Sequence, residues 1–361
     1  APTQVPVSFA YHTLCMPGSL EGLRALSPAE EYLRIVASAA ARGLAPPDKT
    51  VLITGASGYL GQHLIAHLAR TFPTWRLAAA YGGLDTFAED FGAVCACVQL
   101  DLTDGAAVTA LVSEVKPDVV LHLAAMSSPA VCERDPARAR AVNECPPLLA
   151  AVPAHACFVF LSTDQVYDGL AAPYTETSAA APVNVYGQSK LSFERALTAA
   201  LPSRSVCLRS SLILGPPTPG RCRKGSFLQF CAERLSAGAA TDFFSDEVRS
   251  VVWVGDIVSI LASLARDGVS PQSAGVYNMG GPERVTRVEV AEAVAAQGGY
   301  DAPQLIRPVA RSSLPPAARA VASPPDISMD STKLRSLTGH PATRLAEMVA
   351  GAAAAAGASP F

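Results

Sequence analysis

Short, almost wholly apolar runs alternate with longer amphipathic runs over residues 50–210. The apolar runs have the length of strands, whereas the runs between them space their apolar residues as helices do. Strands that are apolar on both faces are typical of a parallel sheet covered by helices on both sides. With right-handed crossovers, the pattern predicts an α/β fold with a doubly wound parallel sheet, the Rossmann arrangement. The predicted strands are TVLIT from Thr50, RLAAAY from Arg76, AVCACVQL from Ala93, DVVLHL from Asp118, ACFVFLS from Ala156 and SVCLRS from Ser205.

The pattern divides the chain into three parts. Residues 1–48 form an N-terminal extension with its own short helix, for which Ser27 is the candidate cap and Glu30 stands at the capping-box position. Residues 49–214 form the predicted Rossmann domain. Residues 215–361, where loops rich in proline and glycine alternate with helical runs, form mainly a smaller substrate lobe, with some segments returning to the sheet. The extension is expected to be a packing arm or a partner contact.

Composition excludes several classes of protein. The chain has 361 residues, of which 50% are hydrophobic and 16% charged, so it can build a sizeable core and is too apolar for a disordered protein. The net charge is −3 and the Lys and Arg residues are scattered, which argues against a nucleic-acid partner. The long uncharged run of residues 145–163 contains three prolines, so no membrane-spanning segment is expected.

The nine cysteines form no C-x-x-C pair and no cluster with metal-ligand spacing. They predict reduced, structural thiols and no metal site. Cys95 and Cys97 stand two apart in a predicted strand and should point to the same side of the sheet. The sequence shows no signal peptide and starts at Ala1. A cytoplasmic location is therefore expected, with an organelle lumen, after removal of a transit peptide, as the alternative.

The segment TGASGYLG follows the first predicted strand and opens a helix. Glycines at such a junction allow a sharp turn, a close approach of backbone N–H groups to a pyrophosphate, and tight packing of helix on strand. The position makes a dinucleotide site the preferred interpretation, with a tight turn that holds no ligand as the alternative. The predicted cofactor-binding residues here are Gly55, Ser57, Gly58, Tyr59, Leu60 and Gly61.

Later strand ends add candidates for the same cofactor. The second strand ends in Ala79-Ala80-Tyr81-Gly82 without a carboxylate for the ribose hydroxyls of NAD, which slightly favours NADP(H) over NAD(H). No Arg or Lys follows directly, so NAD(H) stays open. Asp101-Leu102 could meet the adenine, or Asp101 could cap the next helix. The small residues of Leu123-Ala124-Ala125 would let the backbone lie against the cofactor.

Tyr186 and Lys190 lie four apart in a run with helical character and so share a helix face. A tyrosine hydroxyl has an ordinary pKa of about 10. A nearby ammonium group, here that of Lys190, is expected to lower this pKa by roughly 1–3 units. Tyr186 could then exchange a proton with a carbonyl or alcohol oxygen. Thr163 ends the fifth strand, where its hydroxyl could orient the reacting oxygen.

Taken in order, TGASGYLG, LHLAA, STDQVYDG, PVNVYGQSKLSFE and LRSSLILGP resemble the extended short-chain dehydrogenases/reductases. Within that group the chain is most similar, over residues 51–334, to dTDP-4-dehydrorhamnose reductases and to the regulatory β subunit of methionine adenosyltransferase. The resemblance implies a catalytic triad of Thr163, Tyr186 and Lys190, with Asn143 steadying the lysine through water. It also implies that Arg249 meets a substrate phosphate; an ordinary polar helix position for Asn143 and a surface ion pair for Arg249 are the alternatives.

Three departures from the reductase pattern concern the substrate side: Gln165 in place of a tyrosine, Glu176-Thr177 in place of an acidic pair, and Ser323-Pro324 in place of Arg-Pro. Two functions therefore stay open. The first is an NAD(P)-dependent oxidoreductase that transfers a hydride to a carbonyl of a nucleotide sugar or similar small substrate, with Tyr186 and Lys190 also touching the cofactor. The second is a non-catalytic, NADP-binding regulatory or scaffold subunit. A homodimer or a complex with a partner enzyme is compatible with either.

Overall fold

A computed structural model describes residues 27–41, 47–84 and 86–357 of the chain. Its centre is a seven-stranded sheet in the order β11-β6-β5-β4-β1-β2-β3, in which every neighbouring pair is parallel. The strands of the described residues are β1 (Thr50–Thr54), β2 (Arg76–Tyr81), β3 (Ala96–Gln99), β4 (Val119–His122), β5 (Cys157–Thr163), β6 (Ser205–Ser210), β7 (Ile213–Leu214), β8 (Thr241–Phe244), β9 (Val248–Arg249), β10 (Val252–Trp253), β11 (Gly275–Met279), β12 (Val285–Thr286) and β13 (Ile306–Val309).

Helices connect the parallel strands. The α-helices of the described residues are α1 (Pro28–Ala41), α2 (Tyr59–Thr71), α3 (Phe87–Phe91), α4 (Gly105–Val115), α5 (Pro129–Arg134), α6 (Pro136–Glu144), α7 (Pro146–Ala151), α8 (Val185–Ala200), α9 (Phe227–Ser236), α10 (Val254–Asp267), α11 (Arg287–Gly298), α12 (Ala302–Leu305), α13 (Thr332–Thr338) and α14 (Leu345–Ala356). None of the helices in these ranges is long and apolar enough to span a membrane.

The sheet is buried on both faces, as the apolar runs predicted. Along β1, Val51 and Ile53 join one core cluster and Leu52 joins the other, because side chains alternate between the faces of a strand. The first cluster packs the sheet against α2, α3 and α10, and the second packs it against α1, α4, α7 and α8. The predicted doubly wound α/β fold is confirmed, and each of the six predicted strands corresponds to a strand of the sheet.

The chain beyond residue 214 contributes to both the sheet and a smaller lobe. Its segment Gly275–Met279 adds the seventh strand, β11, parallel to β6, and α10 packs on α2 and the sheet. The predicted strands did not include β11. The lobe itself packs α9, α11 and α14 together with the parallel pair β8 and β13 around a third core cluster. Beside it, β9 and β12 pair antiparallel.

Helix α1, predicted in the extension, packs on the main domain. The Ser27 hydroxyl accepts a hydrogen bond from the Glu30 N–H at 3.3 Å, and the Glu30 carboxylate accepts one from the Ser27 N–H at 2.8 Å, which completes the predicted capping box. The helix contacts α4 and β3, and Tyr32 is only 2% exposed. Packing of this kind matches the packing-arm interpretation for the helix; the rest of the extension, apart from Pro47 and Asp48, lies outside the described residues.

Candidate functional site

A crevice of about 2020 Å³ runs along the carboxyl ends of the sheet strands and continues between the sheet and the smaller lobe. Loops that follow parallel strands end at this edge, which is where ligands bind in open α/β sheets. Every residue that the sequence predicted for cofactor, catalysis or substrate lines the crevice, except Asn143. The structure therefore brings together groups that lie far apart along the chain.

The glycine-rich turn between β1 and α2 has no room for a side chain at Gly55 or Gly61. Gly55 has a φ of +72°, and a Cβ there would lie 2.7 Å from the Ala124 nitrogen at the end of β4. A Cβ at Gly61 would lie 2.4 Å from the Gly55 carbonyl oxygen. Helix α2 starts after Gly58, and within the described part of the chain it has no side-chain hydrogen bond at its N-cap. A cradle of this shape, with open N–H groups at a helix start, fits the pyrophosphate of a dinucleotide.

The residues that follow Gly55 hold this turn by side-chain and backbone contacts. The Ser57 carbonyl accepts a hydrogen bond from the Gln62 amide at 3.1 Å, and the Tyr59 hydroxyl donates to the Pro216 carbonyl at 2.7 Å. Leu60 is 6% exposed and packs into the core beneath the sheet. The turn is therefore tied to a segment between β7 and α9 that the sequence analysis did not connect with it.

Asp101 and Leu102 lie in the crevice at the end of β3. The Asp101 carboxylate accepts hydrogen bonds from the Thr103 N–H at 2.9 Å and the Thr103 hydroxyl at 2.8 Å, and these bonds hold its pKa below the ordinary value. The cap of α4 is Asp104, which accepts from the Ala107 N–H at 3.0 Å. Asp101 thus does not cap the next helix, which removes the alternative considered from the sequence.

Leu123, Ala124 and Ala125 follow β4 and lie against the glycine-rich turn. The Thr54 hydroxyl, at the end of β1, is 2.6 Å from the His122 Nδ1 and 3.4 Å from the Ala124 nitrogen. His122 is completely buried among aromatic rings. These contacts fix the ends of β1 and β4 together, so the backbone at residues 123–125 forms a firm wall of the crevice.

Thr163 and Tyr186 meet where β5 ends and α8 begins. Helix α8 starts at Val185 because the Asn184 side chain accepts a hydrogen bond from the Gly187 N–H at 2.9 Å. Burial is the largest influence on the Tyr186 hydroxyl and raises its pKa well above the ordinary value; the neighbouring Thr163 hydroxyl acts in the opposite direction and Asp164 adds to the rise. The expected lowering of the pKa of Tyr186 is wrong, because burial is the largest influence and raises that pKa.

Lys190 lies one turn after Tyr186 and is 1% exposed. Its ammonium nitrogen is 4.0 Å from the centroid of the Phe160 ring. Burial lowers the pKa of Lys190 to about 7, although the carboxylate of Glu194 on the same helix acts in the opposite direction. A lysine at this pKa can hold or release a proton near neutral pH.

Asn143, on α6, is completely buried behind the crevice wall. Its side-chain oxygen accepts a hydrogen bond from the Met126 N–H at 2.7 Å, and its amide donates to the Met126 carbonyl at 3.2 Å and to the Ser189 hydroxyl at 2.9 Å. Ser189 precedes Lys190 on α8. Asn143 therefore links the segment after β4 to the helix that carries Tyr186 and Lys190, and an ordinary polar helix position does not describe it.

A buried ion pair behind this helix was missing from the sequence analysis. The Arg209 guanidinium of β6 lies 2.8 Å from the Glu194 carboxylate of α8, with 7% and 3% of the two side chains exposed. The Ser162 hydroxyl also donates to Glu194, and Arg209 donates to the Tyr167 hydroxyl at 2.9 Å. The spacing of Tyr186, Lys190 and Glu194, each four apart, indicates that Glu194 shares their helix face, but it does not indicate Arg209 as the partner.

The substrate side of the crevice carries three arginines around one carboxylate. Glu247 lies 3.2 Å from the Arg287 Nε and 3.5 Å from the Arg311 Nε. Arg249 is 6% exposed and donates to the Val248 carbonyl at 2.7 Å and the Pro325 carbonyl at 3.2 Å. A surface ion pair does not describe Arg249, because the residue is buried and its Nη1 bonds to backbone. Its contact with a substrate phosphate stays a prediction.

Two of the departures from the reductase pattern lie at the same place. The Gln165 side-chain oxygen accepts a hydrogen bond from the Asn184 amide at 2.9 Å, and the Ser323 hydroxyl donates to Glu247 at 2.6 Å. Both residues line the crevice. The third, Glu176, accepts from the Asn278 N–H of β11 at 2.9 Å and so supports the sheet. Gln165 and Ser323 are therefore built into the substrate side of the crevice, whereas Glu176 is not.

Comparison with curated proteins gives relatives of two kinds. The dTDP-4-dehydrorhamnose reductase of Mycobacterium tuberculosis (strain ATCC 25618 / H37Rv) is 32% identical over 289 residues, which cover 77% of this chain and 84% of that protein. The methionine adenosyltransferase 2 subunit beta of Xenopus laevis is 30% identical over 267 residues, which cover 69% of this chain and 72% of that protein.

Solved structures with the same fold include a UDP-glucose 4-epimerase of Thermus thermophilus in complex with NAD. It has a TM-score of 0.70 and 25% identity, and the match covers 86% of this chain and 99% of that one. A dTDP-4-dehydrorhamnose reductase of Bacillus anthracis in complex with NADP has a TM-score of 0.69 at 21% identity, covering 83% and 96%. The family model of the RmlD substrate binding domain matches residues 49–356, and the chain belongs to that family.

Proposed function

We propose that this protein is an NAD(P)-dependent reductase of the extended short-chain type that reduces a carbonyl group of a nucleotide sugar or a similar small substrate. The observation that carries the proposal is that Thr163, Tyr186 and Lys190 line the same crevice as the glycine-rich turn. When bound, the nicotinamide supplies the hydride. NADP(H) is the preferred form, because the end of β2 offers no carboxylate to the ribose.

Tyr186 is the proton donor in this proposal. Its raised pKa keeps the hydroxyl protonated at neutral pH, so it can donate a proton to a carbonyl oxygen. Thr163 orients that oxygen by a hydrogen bond from the adjacent strand end. Lys190 holds the ribose hydroxyls and supplies positive charge beside the phenol, and Asn143 positions the helix that carries both residues.

The arginines of the smaller lobe indicate the class of substrate. Arg249, Arg287 and Arg311 line the crevice, with Glu247 as the carboxylate between them. Planar guanidinium groups pair well with phosphate oxygens. Their placement in the same crevice as the catalytic groups supports a substrate with a diphosphate at one end and a carbonyl at the other, such as a keto nucleotide sugar. The named reductase relatives are consistent with this class.

A second candidate is a regulatory subunit that binds NADP and does not turn over. The similarity to methionine adenosyltransferase 2 subunit beta favours it, because that relative matches almost as well as the reductases. Gln165 and Ser323, which replace the reductase residues at the substrate side, also favour it. The two candidates share the cofactor cradle and differ in whether substrate is converted.

The test is a turnover assay on the full chain. NADPH or NADH is followed at its absorbance maximum with a panel of 4-keto nucleotide sugars, and dinucleotide binding is measured separately by calorimetry. Tyr186→Phe is expected to abolish turnover and keep binding. Tyr300→Phe is the matched control, since the Tyr300 hydroxyl is buried in the smaller lobe without a hydrogen-bond partner among the described residues.

Each outcome separates the candidates. Turnover that disappears in Tyr186→Phe and persists in Tyr300→Phe supports the reductase. Tight NADP binding without turnover on the panel, together with a co-purifying partner enzyme, supports the regulatory subunit. Turnover that survives in Tyr186→Phe contradicts the assignment of the proton donor, and failure to bind either dinucleotide contradicts both candidates.

A further inference from the structure

The segment between β7 and α9, residues 216–226, lies across the glycine-rich turn; we call it the strap. Two residues of α2 hold it in place. The Tyr59 hydroxyl donates to the Pro216 carbonyl at 2.7 Å, and the Gln62 side chain donates to the Arg221 carbonyl at 2.7 Å and accepts from the Gly220 N–H at 3.1 Å. The strap is therefore attached to the helix that starts the dinucleotide cradle.

The strap is also attached to α3, the helix that follows β2. The Arg221 guanidinium lies 2.7 Å from a Glu89 carboxylate oxygen and 2.8 Å from an Asp90 carboxylate oxygen. Gly220 packs against the Phe91 ring so closely that a Cβ there would be 2.8 Å from it. The strap thus spans the first two strand–helix units, and Arg221 neutralises carboxylates that would otherwise repel an anion at this end of the crevice.

These attachments bring Arg223 to the end of β2. A Cβ built on Gly83 would lie 3.3 Å from the Arg223 Nη2 and 3.9 Å from its Cζ. The guanidinium therefore lies over the glycine pair that follows β2, and Arg223, Gly82 and Gly83 all line the crevice. In a dinucleotide-binding sheet, the end of the second strand faces the 2′ position of the adenosine ribose.

We propose that Arg223, delivered by the strap, binds the 2′-phosphate of NADP(H) and gives the protein its preference for NADP(H) over NAD(H). The inference rests on the proposed dinucleotide site. A planar guanidinium forms charge-assisted, bidentate hydrogen bonds with a phosphate, and Gly82 and Gly83 place no carboxylate beside it. The basic residue that is missing directly after β2 is supplied in this way from a distant part of the chain.

The test is calorimetric titration of the full chain with NADP⁺ and with NAD⁺. Arg223→Ala is expected to raise the Kd for NADP⁺ by about 10- to 100-fold, the loss of a charged hydrogen-bonding partner, and to leave the Kd for NAD⁺ nearly unchanged. Arg223→Lys keeps the positive charge but lacks the planar guanidinium, so its Kd for NADP⁺ should lie between those of the original chain and Arg223→Ala. Arg266→Ala removes an exposed arginine on the far end of α10 and should change neither Kd.

A second variant tests the same site from β2. A Cβ on Gly82 would meet no atom within 4 Å, so Gly82→Asp fits without displacing the chain. Its carboxylate would repel a 2′-phosphate and accept from ribose hydroxyls, and the preference should reverse toward NAD⁺. The melting temperature of each variant is measured first, to show that the fold is kept.

The outcomes separate this inference from the proposed function. The assignment of Arg223 is overturned if the original chain binds both dinucleotides with equal affinity, or if Arg223→Ala weakens the binding of both equally. The reductase proposal is unaffected by either result. A loss of affinity for NADP⁺ alone in Arg223→Ala supports the assignment. If neither dinucleotide binds the original chain, the proposed function fails and the inference fails with it.

Discussion

The ammonium nitrogen of Lys190 lies 4.0 Å from the centroid of the Phe160 ring, between α8 and the central sheet. The face of an aromatic ring attracts a cation, and the carboxylate of Glu194, one turn further along the helix, also favours the charged form of Lys190. Burial outweighs both and lowers the pKa of Lys190 to about 7. The fold therefore places a group whose pKa lies near neutral pH at a position that the proposed reaction requires.

Replacement of Lys190 by Met should change how stability depends on pH. Below about pH 7 the lysine is protonated in both the folded and the unfolded chain, so the cost of burying its charge is present in full. Between pH 7 and the unfolded pKa of about 10.4, the unfolded chain binds more protons, and stability rises with pH. Lys190→Met lacks the titrating group, so its stability should not show this rise with pH.

Urea unfolding of both chains between about pH 6 and pH 9 measures the effect. The free energy of unfolding of Lys190→Met, relative to that of the original chain, should be greatest at pH 7 or below. Above pH 7 this difference should decline by at most about 1.4 kcal/mol per pH unit. Lys116→Met, at an exposed lysine, controls for the loss of one positive charge. Parallel curves for Lys190→Met and the original chain would show that burial does not perturb Lys190.

The sheet could be predicted from sequence because its strands carry a local signal. Leu52, Val120 and Phe158 stand in short apolar runs of the length that is typical of a buried strand. Strand β11 could not be predicted in this way, because it begins at Gly275 and Asn278 interrupts the apolar residues that follow. Asn278 is buried, and its side-chain oxygen accepts a hydrogen bond from the Tyr167 hydroxyl at 2.7 Å. Its strand character depends on tertiary contacts.

Spacing could relate site residues only where they share an element, whereas Thr163 was predicted from its position at the end of a strand. Tyr186 and Lys190 lie on one helix and Gly55 and Gly61 on one turn, so spacing alone relates them. Arg223 reaches β2 through hydrogen bonds of the strap, and no local pattern encodes that contact. The pKa of Tyr186 moved opposite to expectation because spacing gives a neighbour and not the degree of burial.

Loss of the buried Glu194–Arg209 pair should strongly destabilise the fold. Arg209→Met leaves the Glu194 carboxylate buried without its cation, at a cost of about 3–5 kcal/mol in the free energy of unfolding. Adding Glu194→Gln removes the uncompensated charge and should restore part of that loss. Arg266→Met, in an exposed pair with Asp267, is the control and should leave the free energy almost unchanged.

Urea unfolding of the single and double variants measures these differences. A double variant that is less stable than Arg209→Met alone would contradict the argument, because the penalty would then not come from the unpaired carboxylate.

Gly61→Ala should damage both stability and dinucleotide binding. The added Cβ would lie 2.4 Å from the Gly55 carbonyl oxygen and 2.6 Å from that of Ala56, so the turn must shift. Overpacking of this kind costs about 1–3 kcal/mol, and displacement of Gly55 should raise the Kd for NADP⁺. Gly82→Ala, where a Cβ meets nothing within 4 Å, should leave the melting temperature unchanged. Normal NADP⁺ affinity in Gly61→Ala would show that the turn does not form the cradle.

His122 should make the fold sensitive to acid. Burial, followed by the positive charge of Lys190, lowers its pKa to about 3, so the ring is neutral in the folded chain at pH 5. The unfolded chain binds a proton at a pKa of about 6.5, and between these two values it holds more protons than the folded chain. Stability therefore falls as the pH drops below about 6.5, by up to about 1.4 kcal/mol per unit from this group alone.

His122→Phe tests that prediction within the same aromatic cluster, where His122 stacks on Phe160 with ring centroids 5.5 Å apart. The variant loses the contact of 2.6 Å with the Thr54 hydroxyl and should be less stable at neutral pH. Its stability should nevertheless fall less steeply than that of the original chain below about pH 6.5, in urea unfolding at a series of pH values. His155→Phe, at a histidine whose side chain is 60% exposed, is the control. Equal slopes for His122→Phe and the original chain would mean that the buried ring takes up a proton without cost, which its enclosure by Phe158, Phe160 and Phe193 argues against.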